Sequence, residues 1–261
     1  MSTWRAHAKL TMSLHVTGVR DDGYHLIDAE MVSLELHDLL AFEPCDARTE
    51  PALTAIGPFA AGVPTDGTNL VARALDLARS RAVMTIDKRI PHGGGLGGGS
   101  TDAATALRWG GFGSSRSELE RAGRLGADIP FCLVGGRAHV SGIGEIVEPL
   151  PHLARTVTLV IPPLHVSTPA VYRAWDERGQ RSDGDARNDL EAAAIAVEPD
   201  LARWRRLIHE RIDRAPSLAG SGATWFVEGS FERELADLGT LGATVLVTHT
   251  VDAGRATGPG T

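Results

Sequence analysis

The run "IPHGGGLGGGST" at residues 90–101 holds six glycines in seven positions, interrupted only by Leu96. Glycine turns through φ > 0 and leaves its amide uncovered, at a cost in conformational entropy, so such a run is a linker or a loop whose backbone does chemistry. Strand and helix patterns abut it on both sides, which argues against a linker. A P-loop would need Lys where Gly99 stands. A dinucleotide fingerprint is nominally met by Gly93, Gly95 and Gly98. The acids about 20 residues on, Glu118 and Glu120, fall in a helical pattern instead of at a strand end. The remaining reading is a phosphate cradle: consecutive N–H groups converge on an anion, backed by the positive end of the helix opening at Ser100. Ser100 either caps that helix or turns its hydroxyl toward a phosphate or Mg²⁺.

Transfer of a phosphoryl group asks mainly for positioning and charge stabilisation. A carboxylate beside the attacking hydroxyl can orient it and take its proton. Asp128, between Ala127 and Ile129–Pro130, is a candidate, and a nearby Lys9 would balance its charge and favour a developing alkoxide. On the residues alone, Asp128 could equally be a cap flanking a helix and Lys9 an exposed strand lysine.

These residues need elements to hold them. Over 6–16, Ala6, Ala8, Leu10, Met12, Leu14 and Val16 alternate with His7, Lys9, Thr11, Ser13 and His15, which predicts a strand with one apolar and one polar face. The Asp-Gly turn in "RDDGYH" leads to a partner strand over 27–36. An irregular stretch at 51–67, a helix over 69–81 and a strand over 82–90 deliver the chain to the glycine loop. Helices over 100–109 and 115–126 follow, then an apolar loop or short strand at 127–136 and a hairpin over 137–150 turning at Gly142–Gly144. From 156 the pattern restarts: strand 156–161, a helix opened by Ser167, Thr168 and Pro169, helices over 188–197 and 199–213, strand 223–228, helix 230–238 and strand 243–251. The tail, 252–261, is expected to be disordered.

A chain of 261 residues, 43 % of them hydrophobic, can fill one large core or two small ones. A net charge of -7 and a pI near 5.8 argue against nucleic-acid or membrane-surface partners. No apolar run reaches the roughly 20 residues of a membrane span. Cys45 and Cys132 have no metal-ligand spacing and read as reduced residues of a cytoplasmic protein.

With "AHAKLTMSLHVTGVRDDGYH", "IPHGGGLGGGSTDAA", "LGADIPFCLVGGRAHVSGIGE" and "LAGSGATWF" in this order, nearly the whole chain resembles the GHMP kinases. "DGYH", "STPAVY" and "NDLE" bring it nearest to a branch whose substrate carries a cytidine diphosphate group. The resemblance implies an α+β, two-domain fold: a ribosomal protein S5 domain 2-like half over 1–152, a ferredoxin-like half over 153–251, and the active site in the cleft between them. It implies ATP- and Mg²⁺-dependent phosphorylation of the 2-hydroxyl of a methylerythritol moiety, in non-mevalonate isoprenoid biosynthesis, by a monomer or homodimer. Asp128 then matches the catalytic base and Lys9 its partner. Asn69, Lys88 and the run Gly93, Gly94, Gly95, Leu96, Gly97, Gly98, Gly99, Ser100 and Thr101 match nucleotide-binding positions. Thr11, Tyr24, His25 and Tyr172 match substrate-binding positions, the two tyrosines as faces for the base. Gly220, Ser221 and Gly222 match the third motif, near the reacting phosphates. The residues themselves also allow plainer roles: a turn for Tyr24, a surface ring for His25, core for Tyr172, a tight turn for Ser221, a cap for Asn69 and a solvated strand end for Lys88. The sequence departs from the family at Thr11 (usually Asn), His7 (usually Pro) and His92 (usually apolar), and 43–68 and 204–216 are short. Other readings are a kinase of homoserine or mevalonate type, or a nucleotide-binding relative without activity.

Overall fold

Two long strands organise the computed structural model, which describes residues 1–46, 49–91, 93–179 and 186–257. β1 (Ser2–Val19) and β2 (His25–Pro44) pair antiparallel around the turn in which Gly23 takes φ 86°. Strict alternation does not survive in β1. Its register slips between His7 and Lys9, where β2 carries two extra residues, and between Thr11 and Ser13 and Val16 and Gly18, where β1 carries one extra residue each time. Ala6 and Leu14 pack in one apolar cluster, whereas Ala8, Leu10 and Met12 pack in a second. The face expected to be polar and wet is covered, with His7, Lys9 and Thr11 all buried.

β3 (Ala52–Ile56) lies in the stretch expected to be irregular and runs parallel to β4 (Ala82–Asp87), with α1 (Leu70–Leu77) between them in sequence. α2 (Gly98–Trp109), α3 (Arg116–Gly123) and α4 (Ile129–Val134) follow. α4 corrects the loop or strand expected at 127–136: Pro130 sits in its first turn, where a missing N–H costs nothing. The buried face of α2 is made of small residues, among them Ala103, Ala104 and Ala106, and it packs closely on β1. The hairpin of β5 (Arg137–Gly142) and β6 (Ile146–Leu150) forms as expected.

The second half contributes β7 (Thr156–Ile161), α5 (Thr168–Glu177), α6 (Glu191–Val197), α7 (Asp200–Ile212), β8 (Ser217–Leu218), β9 (Trp225–Glu228), β10 (Thr244–Val251) and α8 (Ala253–Thr257). Its strands stand in the order β10-β7-β9-β8. The helix expected at 230–238 is replaced by a 3₁₀ segment at Ala236–Leu241. The tail is ordered as far as α8, where Ala256 is buried; residues 258–261 lie outside the described residues. One edge of β2 holds β1. The other holds β5 along Ile27–Val32, β10 at Ser33 and Leu34, and β4 along Leu39–Pro44. Through β10 the two halves share one sheet, which fixes the cleft between them.

Candidate functional site

Gly93, Gly95 and Gly97 take φ of 79°, 75° and 70°, a region that favours glycine. Gly97 caps α2 in the left-handed conformation, so the helix starts at Gly98. Ser100 is therefore not the cap. It stands in the first turn, at the border of two cavities. A Cβ on Gly95 would come within 2.7 Å of the Gly222 carbonyl oxygen, and one on Gly97 within 2.7 Å of Lys9 Cγ. Close packing alone thus demands bare backbone at both positions. Leu96 is the loop's anchor: its side chain is buried and its carbonyl accepts the Lys9 amide at 3.0 Å. The loop encloses a cavity of about 230 Å³, bounded also by Leu70 and Lys88. The dinucleotide reading loses its acid, because Glu118 forms a capping box with Ser115.

Three residues expected at the nucleotide have other partners. Asn69 caps α1, accepting from the Val71 amide at 2.8 Å and donating to the Pro64 carbonyl at 2.6 Å. Thr101 faces the interior and donates to the His7 carbonyl at 2.7 Å. Lys88 borders the cavity, yet its ammonium is buried between Asp38 and Asp102, the latter at 2.6 Å. Asp38 also accepts the Ile90 amide at 2.7 Å. Burial pushes Asp102 up to about 8 against the pull of Lys88. Burial likewise opposes charge on Lys88, but the two carboxylates outweigh it and raise its pKa.

A larger cleft of about 600 Å³ opens beside the loop. Lys9 Nζ lies 3.4 Å from Asp128 Oδ2 and donates to Thr11 Oγ1 at 3.2 Å. Asp128 precedes α4 but its side chain makes no capping bond, and a third of it is exposed. Lys9 and Thr11 both line this cleft and both are buried, which excludes the exposed-lysine reading. Gly95 and Ser100 line both the loop cavity and the cleft.

At the far end, His25 stacks on Tyr172 with ring centroids 4.6 Å apart, and its Nε2 lies 2.9 Å from Asp176. Trp175 meets the same ring edge-on at 5.7 Å. Tyr24 is 60 % exposed, with the Arg20 guanidinium 5.9 Å from its ring centroid. The ring over Tyr172 is thus His25, where Tyr24 was expected to provide the opposite face. Burial and the charge of Asp128 push the Tyr172 hydroxyl up to about 12, so it stays protonated. The third motif closes the cleft: Gly220 and Ser221 line it, and the Ser221 hydroxyl lies 2.7 Å from that of Thr168. Gly222 lies behind, against the loop at Gly95.

Sequence reasoning missed Asp38, Asp102 as a partner of Lys88, and Asp176. Asp176 had a signal, since it follows Tyr172 by four residues on α5 and shares its face. Asp38 had none. Among the departures, His7 is buried, with Nδ1 2.7 Å from the Leu34 carbonyl, and burial lowers its pKa to about 4; His92 lies outside the described residues. Both cysteines are free. Among the described residues no cluster of three His, Cys, Asp or Glu forms a metal site, and no helix is long and apolar enough to cross a membrane.

Residues 69–136 match the GHMP kinases N terminal domain. The chain is 39 % identical to the 4-diphosphocytidyl-2-C-methyl-D-erythritol kinase of Paracoccus denitrificans, over 85 % of this chain and 84 % of that one. It is likewise 39 % identical to the enzyme of that name from Jannaschia sp., over 88 % and 89 %. A crystal structure of 4-(cytidine 5'-diphospho)-2C-methyl-D-erythritol kinase superposes with a TM-score of 0.74 and 28 % identity, covering 95 % of this chain and 98 % of the other. A putative homoserine kinase from Listeria monocytogenes shares the fold at a TM-score of 0.62 and 17 % identity, over 97 % of each chain.

Proposed function

Because the chain belongs to the 4-diphosphocytidyl-2-C-methyl-D-erythritol kinases, within the GHMP kinases, we propose that its two adjoining cavities divide the work of phosphorylating that alcohol. The protein is a small-molecule kinase of isoprenoid precursor biosynthesis that uses ATP. Phosphates lie along the amides of the glycine loop and the first turn of α2, where backbone dipoles favour anions. The 2-hydroxyl of the substrate lies in the cleft beside Asp128. Asp128 orients it and accepts its proton as the new P–O bond forms. Lys9, held by Thr11, stabilises the charge that grows on the attacking oxygen.

Ser100 fits Mg²⁺ as a lone hydroxyl ligand, because this ion is usually held by nucleotide phosphates and water with few protein groups. Bound there, the ion would supply charge neutralisation at the transferring phosphoryl group. The cytidine end of the substrate sits toward Tyr172, His25 and Tyr24. Thr11, Gly220 and Ser221 line the path between that end and the reacting hydroxyl.

The observation carrying this reading is that Gly95 and Ser100 border both cavities, so a phosphate cradled by the loop faces directly into the cleft that holds Asp128. ADP release measured with the cytidine diphosphate alcohol, homoserine and mevalonate tests it. Turnover is expected with the first alone. Turnover confined to homoserine or mevalonate overturns the reading.

A further inference from the structure

A short strap crosses from the second half of the chain to β1 and returns to the third glycine motif. Its residues are Arg187, Asn188 and Asp189. Asn188 forms a parallel bridge with Leu14. The Leu14 amide donates to the Arg187 carbonyl at 2.8 Å, and the Asp189 amide donates to the Leu14 carbonyl at 2.9 Å. The Asp189 carboxylate accepts the Val16 amide at 2.9 Å and lies 3.3 Å from His15 Nδ1. From the other side of the strap, the Asn188 carboxamide donates to the Leu218 carbonyl at 2.9 Å and the Gly220 carbonyl at 2.7 Å. Its oxygen accepts the Leu190 amide at 3.0 Å. Both side chains are buried, at 4 % and 7 % exposure.

What this connection controls is a short distance. A Cβ on Gly220 would stand 3.7 Å from Thr11 Oγ1 and 3.9 Å from Lys9 Nζ. Gly220 is supplied by the loop after β8, and Lys9 and Thr11 by β1. Within the described residues β1 pairs only with β2 and this strap, and β8 pairs only with β9. The sheet joins the two halves through β10, on the opposite edge of β2 from β1. The strap therefore ties the strand that carries the lysine to the loop that faces it, beside a second route through the glycine loop, where Leu96 accepts the Lys9 amide at 3.0 Å and Gly94 accepts the Thr224 amide at 3.3 Å.

We propose that Asn188 and Asp189 are positioning residues for phosphoryl transfer, clamping β1 to the third glycine motif so that Lys9 and Gly220 keep their spacing. Neither touches the reacting atoms. Asn suits the position because one amide group reaches two carbonyls while its oxygen accepts an amide; Asp or Leu offers no such donors. The inference rests on the cleft being the transfer site, since a misplacement of about 1 Å there can cost on the order of 100-fold in rate.

A double-mutant cycle with Lys9 tests it, run on whichever alcohol the wild type turns over. Asn188→Ala is expected to lower kcat about 10- to 100-fold with the KM for ATP little changed. In a Lys9→Met background the same change is expected to cost less than threefold, because a strap that acts by placing Lys9 has nothing left to place. Equal losses in both backgrounds overturn the proposal and leave Asn188 a purely structural residue. Should Asn188→Ala fail to fold, Asp189 serves instead: Asp189→Asn keeps an acceptor for the Val16 amide and is expected to retain most of kcat, while Asp189→Ala is not. Similar rates in those two variants overturn it equally. Amide hydrogen exchange of the folded variants needs no turnover. Protection at residues 219–224 and 11–16 is expected to fall in Asn188→Ala, and unchanged protection overturns the clamp. A wild type that releases no ADP from any of the three alcohols contradicts the kinase reading, with the exchange result still deciding the strap.

Discussion

Lys9 and Lys88 lie on either side of the same glycine loop. A Cβ on Gly97 would meet Lys9 Cγ at 2.7 Å, and one on Gly98 would stand 3.3 Å from Lys88 Nζ. Each lysine faces carboxylate, but in opposite ways. Lys88 is enclosed with Asp38 and Asp102, both side chains almost without solvent. Lys9 has one carboxylate partner, Asp128, at a looser 3.4 Å and a third exposed to the cleft. The difference teaches which pair is available for chemistry. A lysine gripped by two buried acidic side chains cannot exchange a contact without stranding a charge in low dielectric. On the proposed mechanism, Asp128 exchanges its contact with Lys9 for a substrate hydroxyl. Lys88 therefore braces the loop from beneath, and Lys9 works at its open side.

Replacing the carboxylate of the looser pair should have the largest effect. Asp128→Asn keeps shape but cannot take a proton, and kcat is expected to fall about 100- to 10,000-fold. The melting temperature should stay near that of the wild type, because no capping bond is lost. A near-normal kcat would remove Asp128 from the mechanism. Lys88→Met attacks the enclosed cluster and is expected to cost about 3–5 kcal/mol in denaturant unfolding, since the buried Asp38 carboxylate loses its cation. Lys9→Met should barely move the denaturation midpoint while lowering kcat. If the two variants lose equal stability, the contrast between the pairs is wrong.

A gentler probe is pH. Asp102 holds its proton up to about pH 8 in the folded protein, against an ordinary value of 3.8, because it is buried. The folded state thus binds one proton more than the unfolded chain between those values. The stabilisation is complete below pH 4 and declines as pH rises toward 8, by up to about 1.4 kcal/mol per pH unit. Unfolding curves of the wild type and Asp102→Asn across this range should differ in slope. Parallel slopes for Asp102→Asn would show that Asp102 is ionised in the fold.

The smallest effect belongs to the cytidine end. Tyr172→Ala is expected to raise the KM for the substrate about tenfold, the worth of one stacked base, with the KM for ATP unchanged. His25→Ala should chiefly reduce the preference for CDP over UDP as a competitor, since its ring, held by Asp176, has a second nitrogen to offer a base edge. Equal competition by CDP and UDP in the wild type would move the base elsewhere.

Much of the loop was legible in the residues because its chemistry is local. A run of glycines before an alanine-rich helix speaks of backbone amides whatever the rest of the chain does, and the hairpin at Gly23 and the helices of the first half follow from turn and periodicity signals of a few residues. Boundaries were weaker. The start of α2 was placed at Ser100 because serine is a good cap, but a left-handed Gly97 takes that place. Segment 127–136 was ambiguous because a short apolar run fits a strand, a loop or a buried helix until its neighbours are known.

The pairing of Lys9 with Asp128 was expected from the sequence, but only the tertiary structure decided the other charges that meet. The alternation of β1 assigned Lys9 and Thr11 to a polar face, and the packing of the third glycine motif and Asp128 around that face made it the wall of the cleft. Lys88 carried the same charge and a similar setting, and the pairing of β4 with β2 delivered it to Asp38. Asn69 satisfied its amide at a helix end, and His25 found Asp176 on a helix of the other half. The physical reason is one of range. Backbone preferences act over a few residues and can be read in order along the chain. An ion pair or a stacked ring forms between groups that are distant in sequence, and packing brings them together only after the chain has closed the loops between them.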